Sequence, residues 1–186
     1  GTLCRFSREQ KHSVFLLIMT QGSAGGNPAV RREEQMLSAG IMGVKEVFWG
    51  GFEDTKLPQF QNVIQEIEKI VKKLNPAFVF VHHGKDTHQD HRHISASAVA
   101  ATRNIPNVLF YEGPTSYDFD PDVFVDIRAV MEKKIQVLTC HKSQVMRTNV
   151  DGRSIIDIAS ATATFRGTQC RTAYAEGFRS LRMFLL

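Results

Sequence analysis

Residues 82 to 93 read His-His-Gly-Lys-Asp-Thr-His-Gln-Asp-His-Arg-His, which gathers five of the chain's seven histidines with Asp86 and Asp90 in one stretch. Imidazole and carboxylate are the ligands that borderline divalent metals such as zinc prefer. His88 and His91 stand three residues apart, a spacing that lets two imidazoles converge on one centre if a helix begins there. Asp90 between them suits two roles: a carboxylate in the first helical turn, favoured by the helix dipole, or a partner that holds an imidazole tautomer. The remaining histidines have plainer readings. His82 and His83 close a strand, where imidazoles more often satisfy the structure than bind ligands, and His93, one turn into the helix, fits a solvated face.

These residues need a scaffold, and the hydrophobic pattern alternates between strand and helix. Ser13–Thr20 is an apolar run of strand length, followed by the loop Gln21–Pro28 and a helical pattern over Val30–Met42 that stops at Gly43. A short strand is expected over Val44–Trp49. Leu57–Leu74 has the 3,4 spacing of an amphipathic helix, ended by Asn75-Pro76. Strand Ala77–Val81 then delivers the histidine loop, and His91–Arg103 reads as a helix of small residues lying close on a sheet. Strands over Val108–Tyr111 and Val123–Ile127, helices over Ala129–Cys140 and Ser154–Phe165, and a last run Phe178–Leu185 complete the chain. Such alternation predicts an α/β fold, a mostly parallel sheet with helices on both faces. Open sheets of this kind bind ligands at the carboxyl ends of their strands, so the Thr20–Gly25, Gly50–Asp54 and histidine loops are expected around one cleft. Gly25-Gly26 is not a P-loop, because no Gly-Lys-Ser/Thr follows.

With 186 residues and 42% hydrophobic content, the chain has the size and composition of a single domain, and no composition break divides it. The net charge of +4 is modest and its basic residues are scattered, which disfavours a nucleic-acid partner. Cys4, Cys140 and Cys170 are far apart and lack Cys-x-x-Cys spacing, as expected of reduced thiols. No apolar stretch approaches ~20 residues and no signal peptide opens the sequence, so a cytoplasmic protein without a membrane span is expected.

A set of ordered motifs extends this reading. Gly1-Thr2-Leu3, Thr20–Gly25, Arg31–Glu34 with Ala39 and Met42-Gly43, Asp54, Asp86-Thr-His-Gln-Asp-His-Arg92, His141–Gln144, Arg166-Gly167 and Tyr174–Phe178 resemble, in type and order, the PIG-L/LmbE-like family of zinc-dependent N-acetylglucosamine deacetylases. The resemblance covers nearly the whole chain and is most specific at His-x-Asp-His. It implies a Rossmann-like three-layer α/β sandwich that hydrolyses the acetamide of a glucosamine-type sugar conjugate, giving acetate and a free amine. It further implies zinc as cofactor with His91 as a ligand, His88 as oxyanion stabiliser or proton donor, and Asp90 as its orienting carboxylate. Arg31 and Asp54 match positions of the sugar-binding cleft. His141 matches a site-proximal or structural position, and Lys142-Ser-Gln144 beside it favours a structural role at a helix end.

One part of the family pattern is not among these residues. The other two zinc ligands and the general base belong to a His-Pro-Asp-Asp block at the end of a first strand, just before the position of Gly1-Thr2-Leu3. The expectation is therefore a single deacetylase domain over residues 1–186 that lacks its first strand and loop, with the missing block within about 20 residues upstream. The segment Gly1–Phe6 is expected to begin a helix whose N-terminus faces the cleft. The chain alone is expected to be poorly soluble and to bind zinc weakly. A homo-oligomer is compatible with the sequence. Two further functions stay open: a non-catalytic sugar-binding relative, and a metal-dependent phosphoesterase.

Overall fold

The structure, a computed structural model, describes residues 1–148 and 150–184. Its elements follow the predicted alternation. A short helix α1 (Thr2–Cys4) runs into a π-helical turn (Arg5–Glu9), followed by β1 (Phe15–Thr20), α2 (Pro28–Met42), β2 (Glu46–Phe52), α3 (Phe60–Leu74), β3 (Phe78–His82), α4 (Gln89–Ala101), β4 (Asn107–Tyr111), β5 (Val123–Asp126), α5 (Met131–Thr139), α6 (Ile155–Gln169) and β6 (Ala175–Arg182). The final run expected over Phe178–Leu185 is thus part of a strand, and Leu185 lies outside the described residues.

The chain divides into two compact units, Gly1–Gly51 with Phe124–Glu176 and Phe52–Val123 with Gly177–Leu186. The boundaries at residues 51/52 and 176/177 fall inside β2 and β6, and the one at 123/124 inside β5. That explains why composition shows no break: no linker separates the units.

In the first unit β1 and β2 form a two-stranded sheet. Strand β2 continues through Gly50-Gly51, which the sequence presents as a loop. Glycine is needed there because a Cβ at Gly50 would come 3.0 Å from the carbonyl oxygen of Met19 on β1. Helix α2 opens with Asn27, whose side chain accepts the Ala29 N–H, has Pro28 in its first turn, and ends at Gly43 with φ 83°. Cys4, Ile127, Val130, Val137 and Ala163 form this unit's core, with Ile41, Met42 and Tyr174 packed against it.

In the second unit β3 pairs in parallel with β4, from Phe78↔Asn107 to His82↔Tyr111, as a strand–helix–strand crossover requires. β4 pairs antiparallel with β6, from Val108↔Arg182 to Tyr111↔Phe178. The fold is α/β, with two sheets among the described residues and both parallel and antiparallel pairing. Helix α4 buries Ser95, Ser97, Ala98 and Ala101, the small residues that let it lie close on β3. Helix α3 buries Val63, Ile67 and Ile70, one face of its apolar stripe, and packs on α4. No helix of the described residues is long and apolar enough to cross a membrane.

Candidate active site

The histidine loop leaves β3 at His82 and enters α4 at Gln89, two residues before the predicted helix start. Asp86 makes the turn. Its Oδ1 accepts the backbone N–H of His88 at 2.8 Å, an Asx turn that reverses the chain without regular structure. Its Oδ2 lies 3.1 Å from Nδ1 of His91 and accepts the Ser116 hydroxyl at 3.0 Å. The side chain is 1% exposed. Burial by itself would push this carboxyl's pKa up, but the His88 amide, the Thr115 side chain, His91 and Ser116 together outweigh it and hold the pKa at about 2. An ionised carboxylate only accepts, so Nδ1 of His91 carries a proton, and in the neutral ring Nε2 keeps its lone pair.

His88 is fixed in the complementary sense. It is the N-cap of α4, and its Nδ1 accepts the backbone N–H of Asp90 at 3.2 Å. With Nδ1 accepting, the neutral ring carries its proton on Nε2. The two imidazoles thus offer different things, a donor at His88 Nε2 and a lone pair at His91 Nε2. Their rings stack with centroids 4.5 Å apart and 19° between planes. His82 stacks on His91 as well, at 4.1 Å, and the Tyr111 hydroxyl sits 3.2 and 3.1 Å from the two ring nitrogens of His82. Burial, reinforced by the neighbouring His91, pushes the pKa of His82 down to about 3, so this ring is neutral packing beneath the pair.

Asp90 is 5% exposed, and its contact with His88 runs through the backbone amide. Its Oδ2 accepts the N–H of Thr55 at 2.9 Å, and the neighbouring Gln89 side chain donates to the Thr55 carbonyl at 2.7 Å. These bonds fasten the turn after β2 to the start of α4 and so bring the segment holding Asp54, itself half-buried, beside the histidine loop. A third segment joins them: the Thr87 N–H donates to the Thr115 carbonyl and the Tyr117 N–H to the Lys85 carbonyl, each at 3.0 Å. Arg92 braces the turn from below, donating to the carbonyls of Asp86 and Thr87 at 2.7 Å each. His93 does not face solvent as a free ring but packs on Phe60 of α3, with ring centroids 4.1 Å apart and 36° between planes. His83 is buried edge-on against Phe119, and burial lowers its pKa.

Arg31 belongs to the first unit. Its guanidinium lies over the loop before α2, where a Cβ on Gly22 or Gly25 would come within 2.9 or 2.6 Å of it. One turn further along α2, Glu34 accepts the backbone N–H and the hydroxyl of Ser143 at 2.8 and 2.7 Å, and Gln144 donates to the Gly25 carbonyl at 3.1 Å. The His141–Gln144 segment is therefore moored to α2 and its preceding loop. Burial pushes the His141 pKa down, and Arg31 adds to this against the opposing pull of Glu34.

The second unit thus unites Asp54, His88, Asp90 and His91, while Arg31 lines a glycine-rich loop in the first. Sequence patterning includes Asp86 in the cluster without giving it a role, and passes over Ser116. The Asp-x-His spacing was the available signal for Asp86, since an Asx turn joins an aspartate to the amide two residues on; nothing in the sequence points to Ser116. Among the described residues no group of three His, Cys, Asp or Glu side chains is arranged to hold a metal ion. The donor type at His91 Nε2 suits zinc, but the described residues alone do not make a zinc site.

Comparisons with known proteins place this α/β scaffold, with its oriented His-x-Asp-His motif at a strand end, in a family. Residues 1–102 match the family described as PIG-L, GlcNAc-PI de-N-acetylase, and the chain belongs to that family. It is 31% identical to the uncharacterized deacetylase YaiS of Escherichia coli (strain K12), with 70% of this chain and 75% of that protein covered. It is 32% identical to the diacetylchitobiose deacetylase of Thermococcus kodakarensis, with 77% of this chain covered; the chain spans 63% of that relative's length. Among solved structures, the N,N'-diacetylchitobiose deacetylase of Pyrococcus horikoshii superposes with a TM-score of 0.83 at 26% identity, covering 97% of this chain and 77% of the other.

Proposed function

We propose that this protein is a zinc-dependent sugar de-N-acetylase, a cytoplasmic enzyme that hydrolyses the acetamide of an N-acetylglucosamine-type conjugate to acetate and a free amine. Family membership and the deacetylase relatives support the reaction class, and the Rossmann-like three-layer arrangement of that family is the proposed frame. The observation that carries the reading is the opposite bonding of the two Nδ1 atoms, to a carboxylate at His91 and from a backbone amide at His88, which in the neutral rings leaves a lone pair at His91 Nε2 and a proton at His88 Nε2. An acetamide carbonyl is a poor electrophile, and a bound zinc ion supplies a water acidic enough to react at neutral pH. His91 is proposed as one ligand of that ion.

The residues of the chain then divide the remaining work. Water adds its oxygen to the carbonyl carbon, and the oxyanion that forms needs a donor aimed at it; His88 Nε2–H fills this role, with Nδ1 held by the α4 cap so that the ring does not turn away. When the C–N bond breaks, the departing nitrogen takes up the proton that the water gave up and leaves as the amine, with acetate as the other product. Asp90, through its amide, keeps the donor tautomer of His88, and its carboxylate holds the Asp54 segment through Thr55. Asp54 and Arg31 are proposed to contact sugar hydroxyls and the acetamide or aglycone.

The test is acetate release from a panel of N-acetylglucosaminides, including diacetylchitobiose and N-acetylglucosaminyl malate, by the full-length protein with zinc restored after chelation. Acetate formed in step with free amine supports the reading. Release of phosphate from phosphate esters with no acetate from any acetamide would replace it with a phosphoesterase.

A further inference from the structure

We propose that Asp86 is the positioning residue of the histidine site: one carboxylate that sets the tautomer of His91 and, through the amide it accepts, the placement of His88. The catalytic consequence of this inference rests on the de-N-acetylase reading, whereas the structural claim does not. His-x-Asp-His patterning draws attention to Asp90, yet the Asp90 carboxylate is taken by Thr55 and meets neither imidazole ring in a hydrogen bond. Asp86 makes the contacts that Asp90 does not. Oδ1 takes the His88 N–H, and Oδ2 is shared between His91 Nδ1 and the Ser116 hydroxyl. At 1% exposure the carboxylate is withdrawn from bulk solvent, which strengthens these hydrogen bonds.

The two oxygens are not interchangeable, and this makes the claim testable with one atom. In Asp86→Asn the backbone N–H of His88 can be met only by the amide oxygen, because an NH2 group there would oppose donor to donor. The amide NH2 must then occupy the Oδ2 position, facing His91 Nδ1 and the Ser116 oxygen. It donates to Nδ1, so the ring proton of His91 moves to Nε2 and the lone pair there is lost. Ser116→Ala removes only the second user of Oδ2 and leaves the tautomer as it was.

The experiment is long-range proton–nitrogen correlation NMR of the histidine rings in the full-length protein, with no metal added, at a pH where the rings are neutral. The expected result is His91 protonated at Nδ1 in the wild type and in Ser116→Ala, and at Nε2 in Asp86→Asn. In an active preparation Asp86→Asn should also lower kcat by about ten- to a hundredfold, the range seen for outer partners of site histidines. His91 keeping its Nδ1 proton in a folded Asp86→Asn variant overturns the proposal. If that variant does not fold, the wild-type spectrum still decides: a ring protonated at Nε2 refutes the assignment and one protonated at Nδ1 supports it. A wild type with the expected tautomer that releases no acetate refutes the enzyme reading and leaves the positioning role standing.

Discussion

The backbone amide of Asp90 lies 3.2 Å from Nδ1 of His88, so a single imidazole both caps α4 and offers its other nitrogen outward. Capping and chemistry are thereby separable by substitution. Asparagine is among the best N-cap residues but has no donor where Nε2–H stands. His88→Asn should melt within a degree or two of the wild type, measured by circular dichroism, while kcat falls by roughly a hundredfold or more. His88→Ala loses the cap too and should be destabilised by about 1 kcal/mol in addition. A His88→Asn enzyme with full turnover would remove His88 from the reaction.

His91→Ala is expected to weaken zinc binding by more than about a hundredfold, because it deletes a ligand and not merely an outer partner. Isothermal titration of the full-length protein with zinc measures this. Unchanged stoichiometry and affinity would exclude His91 as a ligand.

Glu34 predicts a pH dependence of stability. Burial favours its neutral form, but the two hydrogen bonds from Ser143 outweigh burial and lower its pKa below the ordinary 4.5. The folded carboxyl is then the stronger acid. Its contribution to stability is complete above pH 4.5 and is lost as the pH falls through the lower folded value. Urea denaturation from pH 6 to pH 3 should show Glu34→Gln less stable than the wild type at the upper end, with the gap closing toward the lower. A gap that is constant with pH would place the effect in packing.

Two glycines separate a soft contact from a hard one. A Cβ at Gly25 would meet the tip of Arg31 at 2.6 Å, and a flexible guanidinium can step aside; a Cβ at Gly167 would meet the backbone carbonyl of Thr172 at 2.6 Å, which cannot. Gly25→Ala should leave stability within about 1 kcal/mol of the wild type yet raise KM several-fold if Arg31 touches substrate. Gly167→Ala should be destabilised by about 1–3 kcal/mol, as for other overpacked sites. Thermal melts and initial-rate kinetics on the two variants distinguish them.

The sequence carried the α/β alternation clearly because its signals are local: the apolar stripe of α3, Gly43 after α2, and Asn75-Pro76 after α3. The start of α4 was displaced by two residues because its cap is an imidazole, which capping rules do not anticipate. The two compact units leave no mark in composition because their boundaries run inside strands. His88 and His91 were legible by type and spacing. The partner of His91 was not, since the choice between Asp86 and Asp90 depends on Thr55 and Ser116, which stand 35 and 30 residues from the carboxylates they meet. The π-helical turn at Arg5–Glu9 has no sequence signature at all.

The bonds between Lys85–Thr87 and Thr115–Tyr117 amount to a splint: a strip of backbone pairing laid across two loops that would otherwise move independently. A splinted rim transmits a change in loop length directly to the imidazoles but is indifferent to what its outward side chains are. Tyr117, 53% exposed on that rim, and the Lys85–Asp118 ion pair beside it can therefore be exchanged without disturbing the histidine geometry. Changes of ligand preference should come from replacing those side chains, and insertions between Gly113 and Asp118 should be the changes that disturb the histidine geometry.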